Sequence, residues 1–128
     1  MKYTYPTKEK LKSRTLINQL FSEGKSVSKY PLRLVYAEVN DLQDTNIKIG
    51  VSVSKKHFKK AVDRNYFKRI LRESYRLNKD LLHNVSKERN FVFMILYQTK
   101  DSLSFQEVND KTIALFKKFI EVIEKNTQ

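Results

Sequence analysis

The chain has 128 residues, of which 40% are hydrophobic and 12% aromatic, enough for one domain with a modest core rather than a disordered tail. Its 26 lysines and arginines against 14 aspartates and glutamates give a formal charge of +12, which favours polyanionic partners, nucleic acid above all, and opposes self-association. The absence of cysteine excludes a disulfide scaffold, a cysteine zinc site and a cysteine nucleophile. No apolar run approaches the length of a membrane span and the start MKYTYPTKEKLKSR is too polar for a signal peptide, so we expect a cytoplasmic protein without a membrane partner.

The first predicted helix follows a loose basic segment over residues 1 to 12. Ser13 suits the N-cap of a short helix over 14 to 23, whose apolar positions recur at helical spacing. Gly24 suits the position just after its end. A shorter strand is predicted over 25 to 29.

Three further runs predict strands. YPLRLVYAEV (30 to 39) and IKIGVSV (47 to 53) alternate between apolar and polar positions, and DLQDTN (41 to 46) between them is turn-like, so the two runs predict a hairpin-like pair. FVFMILY (91 to 97) is apolar at every position, as expected for a strand that is covered on both faces. It is therefore predicted at the centre of the sheet.

The last segment predicts an amphipathic helix that packs on the sheet. Ser104 and Glu107 have the spacing of a capping box, and apolar residues then recur at helical intervals. The order helix, strands, helix, strand, helix predicts a single α/β (α+β) domain over 1 to 128, a two-layer sandwich around a small mixed sheet.

The stretch KKHFKKAVDRNYFKRILRESYR (55 to 76) predicts a helix with two unlike flanks. Cations four residues apart form a ladder about 24 Å long: Lys60, Arg64, Lys68, Arg72 and Arg76, with Asn65 and Arg69 beside it. The opposite, buried flank is predicted to hold Tyr66, Phe67, Ile70, Leu71, Ser74 and Leu77.

Like charges at this spacing repel each other, and only Glu73 lies close enough to Arg69 and Arg76 to offset them. One interpretation is a solvated face that keeps the protein soluble. Such a face would be mixed in sign and mostly lysine, whereas this one is single-signed, about half arginine, and carries an asparagine, a composition that suits phosphate groups. Lys55 and Lys56, at the predicted helix entry, could hold a phosphate together with the first free N–H groups of the helix.

The segment GVSVSKKHFKKAVDRNYFKRILRESYR resembles the signature of the protein subunit of bacterial ribonuclease P, and INQLFSEGKSV is similar to the helix end and glycine of that family. The element order agrees over nearly the whole chain. The resemblance implies a left-handed connection between the strand over 47 to 53, the signature helix and the strand over 91 to 97. Physical preference alone would make that crossover right-handed.

The resemblance also implies an RNA-binding domain that supplies no catalytic group. Its partners would be a catalytic RNA, bound by the signature helix, and precursor tRNA, whose 5′ leader would lie in a cleft between the sheet and the first helix. Eight RNA contacts are carried over by motif position, and Lys60 of the ladder is added to them. The predicted RNA contacts are therefore Lys55, Lys56, Lys60, Arg64, Asn65, Lys68, Arg69, Arg72 and Arg76.

The leader cleft implied by the resemblance would be lined by Phe21 and Ile17 of the first helix. Ile17 stands where many relatives carry a second aromatic residue, and an aliphatic side chain cannot stack on a base. Arg33 and Val35 share one face of their strand and form the predicted cleft floor. Alternation alone leaves open which strand face looks into the cleft.

Other candidates for chemistry are weak. His57 and His83 have no metal-binding spacing, and the carboxylates form no pair on one predicted face, so we expect no catalytic site, metal site, bound cofactor or small-molecule substrate. Any essential Mg²⁺ is expected on the RNA. Three hypotheses remain: the RNA-binding subunit of a ribonucleoprotein that removes the 5′ leader of precursor tRNA, a non-enzymatic binder such as a ribosomal protein, and a nuclease in its own right, which would need clustered acids.

Overall fold

The computed structural model describes residues 4–40, 42, 45–85 and 88–126. In these ranges the chain forms three α-helices and one four-stranded mixed sheet, which confirms the predicted fold class. The elements in chain order are α1 (Arg14–Glu23), β1 (Lys25–Lys29), β2 (Leu32–Val39), β3 (Ile47–Val53), α2 (Ala61–Val85), β4 (Asn90–Tyr97) and α3 (Phe105–Asn126).

The sheet has the strand order β1-β2-β4-β3. The pairs β1–β2 and β2–β4 are antiparallel, and β3 runs parallel to β4. The predicted hairpin-like pairing of β2 with β3 is therefore wrong, because β4, apolar on both faces, lies between them; its predicted central position is confirmed. Half of the predicted turn over 41 to 46, residues 41, 43 and 44, lies outside the described residues, and the left-handedness of the β3–α2–β4 connection stays a prediction.

The two faces of the sheet are covered differently. On one face, Phe91 and Phe93 of β4 contact Phe119 of α3, with ring centroids 5.4 and 5.1 Å apart at nearly perpendicular angles. Such edge-to-face contacts between aromatic rings add to the gain from burial. On the other face, α1 packs its fully buried Leu20 in a cluster with Val35, Val92 and Met94. The residues of this second cluster share the face of the sheet that looks towards α1.

Local hydrogen bonds explain where two helices begin and one ends. The Ser13 hydroxyl accepts from the backbone N–H of Leu16 at 3.3 Å, which confirms the predicted N-cap of α1. Gly24 ends α1 with an ordinary φ of −72°, and its backbone N–H donates to the Leu20 carbonyl at 2.8 Å. A Cβ at this position would collide with that same oxygen, so close approach explains this glycine. At the start of α3, Ser104 and Glu107 form the predicted capping box with reciprocal bonds of 3.2 Å.

The prediction that residues 1 to 12 are loose is wrong for the part that the structure describes, from residue 4 onwards. Leu11 donates its backbone N–H to a carbonyl of β3 at 3.1 Å, and Glu9 is only 4% exposed. The Glu9 carboxylate lies 2.8 Å from the ammonium group of Lys79 in α2. A buried carboxylate is costly unless it is paired, so this contact holds the segment against α2.

Candidate nucleic-acid interface

The two lysines that precede α2 lie in a turn, not at the first turn of the helix. Lys55 and Lys56 are exposed in the connection after β3, and α2 begins only at Ala61. The backbone N–H of Lys56 already donates to the Ser54 hydroxyl at 3.0 Å. The predicted placement of these lysines at the start of the helix is therefore wrong, and a phosphate contact through their exposed ammonium groups stays a prediction.

Arg64 makes structural hydrogen bonds that the sequence did not predict. Its Nη1 donates to the backbone carbonyls of Phe58 and Lys59, each at 2.8 Å, and the side chain is half-buried. These bonds satisfy carbonyl groups of the connection that enters α2. The assignment of Arg64 to a free solvent face is therefore wrong, since its guanidinium holds this connection in place.

The other residues predicted to bind RNA lie along the outward side of α2 or, in the case of Lys60, just before it. Lys60, Asn65, Arg69 and Arg72 are exposed, and Lys68 is half-buried. We call these five residues, together with Arg76, the cation row. Spacing of four residues turns the row by about 40° per step, and its members occupy both exposed and half-buried positions.

Arg76 has an acidic partner on its own helix. Its Nε donates to Glu73 at 3.2 Å, and its Nη2 also contacts that carboxylate. These hydrogen bonds lower the pKa of Glu73 and raise the pKa of Arg76. The sequence-based expectation that Glu73 offsets part of the repulsion is confirmed for Arg76.

The buried flank of α2 leaves out two residues that the sequence placed in it. Its buried residues are Phe67, Ile70, Leu71, Ser74, Tyr75, Lys79 and Leu82. Tyr66 and Leu77, predicted to be buried, are 50% and 41% exposed, so this part of the prediction is wrong. Among the helices and strands, α2 packs mainly against α3 and the edge strand β3, and the exposure of Tyr66 and Leu77 places both side chains outside the buried part of that contact.

A cleft of about 440 Å³ opens beside α1. Its walls come from the N-terminal segment, α1, the sheet and α2, and it is lined by Tyr5, Lys10, Leu11, Lys12, Ile17, Gly50, Val51, Arg72 and Met94. Lysine and arginine are the charged side chains in this lining, which suits a negatively charged ligand. Arg72 belongs both to the cation row and to the cleft, so the two surfaces are continuous.

The strand register shows which sheet face forms the floor. Val35 pairs with Met94, and Met94 pairs with Gly50, so these residues form one row across the sheet beneath α1. Val35 is buried in that row, whereas Arg33 is exposed in the next row along β2. A Cβ on Gly50 would lie 3.2 Å from the Met94 side chain, so the absence of a side chain at Gly50 leaves room for Met94 in the cleft floor. A glycine inside a strand is the signal by which the sequence could have shown this close approach.

The two cleft residues predicted on α1 are both placed away from the main core. Ile17 lines the cleft and packs at the edge of the α1 cluster. Phe21 follows four residues later, on the same flank of the helix, and its side chain is 53% exposed. An aromatic ring this exposed is available for stacking, which ordinary core packing would prevent.

One wall of the cleft is anchored by a buried polar cluster that the sequence did not predict. The Tyr75 hydroxyl donates to Glu9 at 2.6 Å, and Lys79 donates to the backbone carbonyl of Thr4 at 2.8 Å. His83 adds its Nε2, 3.4 Å from the Tyr75 hydroxyl and 3.9 Å from Glu9. We call Glu9, Tyr75, Lys79 and His83 the anchor cluster. It fixes the segment that supplies the N-terminal wall of the cleft.

Burial sets the protonation behaviour of the anchor cluster. It raises the pKa of Tyr75, and the hydrogen bond to Glu9 raises it further. It lowers the pKa of His83, which outweighs the opposite effect of the Glu9 carboxylate nearby. Tyr75 and His83 are therefore held neutral, and Glu9 and Lys79 form the ion pair.

Neither a metal centre nor a membrane span is found in the part of the chain that the structure describes. No three His, Cys, Asp or Glu side chains in these ranges come close enough together to hold a metal ion. No helix there is both long and apolar enough to cross a bilayer. His57, considered above as a possible ligand, is half-buried in the turn after β3, where its backbone N–H donates to Ser54.

The fold, the cation row and the adjoining cleft define a small basic α+β protein whose surface suits a polyphosphate chain. The family model for ribonuclease P matches residues 5–120. The chain therefore belongs to the ribonuclease P protein family, as the signature around α2 indicates.

Named relatives and solved structures agree with this assignment. A ribonuclease P protein component of Porphyromonas gingivalis is 45% identical over 89 residues, a match that covers 70% of this chain and 65% of the relative. One of Desulforapulum autotrophicum is 34% identical over 118 residues, covering 92% of this chain and 94% of the relative. The ribonuclease P protein of Thermotoga maritima superposes with a TM-score of 0.67 at 25% identity, covering 86% of this chain and 96% of that one. The Staphylococcus aureus protein, at 22% identity and a TM-score of 0.66 over 85% of this chain and 93% of that one, shows the shared fold.

Proposed function

We propose that the chain is the protein subunit of ribonuclease P and assists the endonucleolytic removal of the 5′ leader from precursor tRNA. In this proposal α2 binds the catalytic RNA and the cleft beside α1 binds the leader. The observation that carries it is the position of Arg72, which belongs to the cation row and also lines the cleft with Lys10 and Lys12. A strand held on α2 could thus continue into the cleft along one positive surface.

The two surfaces suit different parts of the RNA. Arginine forks on the outer side of α2 can each take two oxygens of a phosphate, and each such contact releases counterions, so affinity should fall steeply with salt. The floor of the cleft includes Gly50 and Met94, and the exposed ring of Phe21 lies outside the lining, four residues after the lining residue Ile17 on α1. A single strand can lay its backbone against Lys10 and Lys12 while a base stacks on such a ring.

In this proposal the chain positions RNA and leaves the bond-breaking step to the RNA subunit. We expect the Mg²⁺ that the reaction needs to be held by that RNA. The site of action would be the cytoplasm, where precursor tRNA meets the holoenzyme. Family membership and the relatives' names, each a ribonuclease P protein component, support the role of a subunit in an RNA-processing ribonucleoprotein.

Reconstitution tests the proposal. The protein is mixed with a ribonuclease P RNA and precursor tRNA at physiological magnesium, and the products are mapped on a sequencing gel. We expect the protein alone to be inert, the RNA alone to be slow, and the mixture to cut quickly at the mature 5′ end. Cleavage by metal-loaded protein without RNA would support the nuclease hypothesis instead. RNA binding with no gain in cleavage rate would support a ribosomal type of RNA-binding protein.

A further inference from the structure

An aromatic ring stands half-exposed next to the cation row. Tyr66 is 50% exposed and meets the buried Phe67 nearly at a right angle, with ring centroids 5.1 Å apart. The guanidinium of Arg69 lies 5.9 Å from the centroid of the Tyr66 ring. The contact with Phe67 fixes the ring on one side, and solvent reaches the rest of it.

A groove beside Tyr66 runs between α2 and the start of α3. It has a volume of about 240 Å³ and is lined by Tyr66, Arg69, Ile70, Glu73 and Phe105. This lining combines two aromatic rings with one cation and one carboxylate. Its size suits a flat fragment and is smaller than most sites for drug-sized molecules.

We propose that this groove binds one unpaired base of the RNA whose backbone lies along the cation row, with Tyr66 as the stacking surface. The inference rests on the proposed function and adds a base contact to the phosphate contacts. Arg69 links the two, because it belongs to the cation row and also lines the groove. A strand held by its phosphates at Arg69 therefore has a base within reach of the Tyr66 ring.

The chemistry of the lining favours a base over an apolar protein segment. Aromatic and arginine side chains together are the usual platform for an unstacked base. The Glu73 carboxylate has about four acceptor positions. Arg76 contacts both of its oxygens, and in this proposal a remaining position accepts from the exocyclic amino group of a base. The chain carries a net charge of +12, which adds long-range attraction for RNA and none for a neutral peptide.

Salt titration separates stacking from phosphate contact. Affinity for ribonuclease P RNA is measured by filter binding over a range of salt concentrations for the wild type, Tyr66→Ala, Tyr66→Phe and Tyr66→Leu. Loss of one stacked base weakens binding roughly 5- to 150-fold. We expect Tyr66→Ala and Tyr66→Leu to lose at least about fivefold at every salt concentration with an unchanged salt slope, and Tyr66→Phe to bind within about twofold of the wild type.

Two controls make the result specific. Leu77→Ala removes another exposed apolar side chain from α2, outside the groove, and should bind like the wild type. Arg72→Ala should instead reduce the salt slope by about one. Chemical probing of the complex should show one nucleotide that is protected by the wild type and becomes reactive with Tyr66→Ala, but not with Arg72→Ala.

Several outcomes would overturn the inference. Wild-type affinity in Tyr66→Leu would mean that no base stacks on the ring, and equal losses in Tyr66→Phe and Tyr66→Ala would assign the effect to the hydroxyl group. A loss of affinity without any newly reactive nucleotide would also count against a base contact. Failure of the proposed function has a different signature, because the wild-type protein itself would then neither bind this RNA nor accelerate cleavage.

Discussion

Replacing Lys79 with methionine should destabilise the protein strongly, because it leaves the Glu9 carboxylate buried without its cation. The two side chains are 5% and 6% exposed and lie 2.8 Å apart. Breaking a buried ion pair by removing one partner costs about 3–5 kcal/mol. We expect the lower end of this range, roughly 3 kcal/mol, because the Tyr75 hydroxyl still donates to Glu9 at 2.6 Å. Methionine nearly preserves the volume of the side chain, so the loss reports charge rather than a cavity.

Thermal unfolding gives the corresponding shift. Unfolding of 128 residues carries an entropy of roughly 270 cal/mol/K at about 2.1 cal/mol/K per residue, so 3 kcal/mol lowers Tm by about 11 °C. The matched control is Glu38→Gln, which removes the ion pair with Arg89, also 2.8 Å long but 31% and 47% exposed. Exposed pairs contribute about 0–1 kcal/mol, so this variant should melt within about 4 °C of the wild type.

A double variant completes the test. Glu9→Gln with Lys79→Met removes both charges while the glutamine oxygen can still accept from Tyr75, so most of the lost stability should return. If Lys79→Met alone costs less than about 1 kcal/mol, like the exposed pair, the claim that this ion pair anchors the N-terminal segment is incorrect.

Three further perturbations give distinct results. Arg64→Ala should lower the free energy of unfolding by about 1.5–3 kcal/mol in urea titration, because two backbone carbonyls lose a charged donor; unchanged stability would contradict the role assigned to Arg64. Phe21→Ala should weaken holoenzyme binding of leader-bearing tRNA more than of mature tRNA in filter assays, and equal losses would argue against its place in the leader site. His83 has a pKa below its ordinary 6.5 because it is partly buried. The unfolded chain therefore binds more protons in this range, so stability should fall as pH drops below about 6.5 and level off below the lowered pKa. The variant His83→Gln should reduce that slope between pH 7.5 and 5, measured by urea midpoints, and an unaltered slope would assign the pH dependence to other groups.

Local sequence patterns correctly predicted those elements whose burial or capping leaves a signal in their own residues. The all-apolar run of β4 indicated its central position, and helical periodicity with capping residues indicated α1 and α3. The four-residue spacing of lysine and arginine indicated four members of the cation row, and it also included Arg64, which instead bonds the connection before α2. These signals are local in the chain, so a single sequence carries them.

Contacts between segments that are far apart in the sequence could not be predicted from local patterns. The β2–β3 pairing failed because adjacent alternating strands favour a hairpin, whereas the insertion of β4 depends on the fold as a whole. Glu9 and Lys79 are 70 positions apart, and each residue type is seldom buried, so no pattern linked them. Tyr66 was assigned to the core from helical spacing, which cannot show how wide an arc the neighbouring elements cover.

The central claim is that the positive surface shared by α2 and the cleft helps an RNA catalyst to remove the leader. The most direct measurement is the single-turnover rate of leader removal at limiting magnesium by the RNA with wild-type protein, with Arg72→Ala and with Lys117→Ala. The last variant removes one exposed positive charge from α3 and so matches the change in net charge. We predict that the wild type and Lys117→Ala accelerate cleavage equally and that Arg72→Ala loses at least about fivefold, the effect of roughly 1 kcal/mol. Equal acceleration by all three proteins would contradict the account.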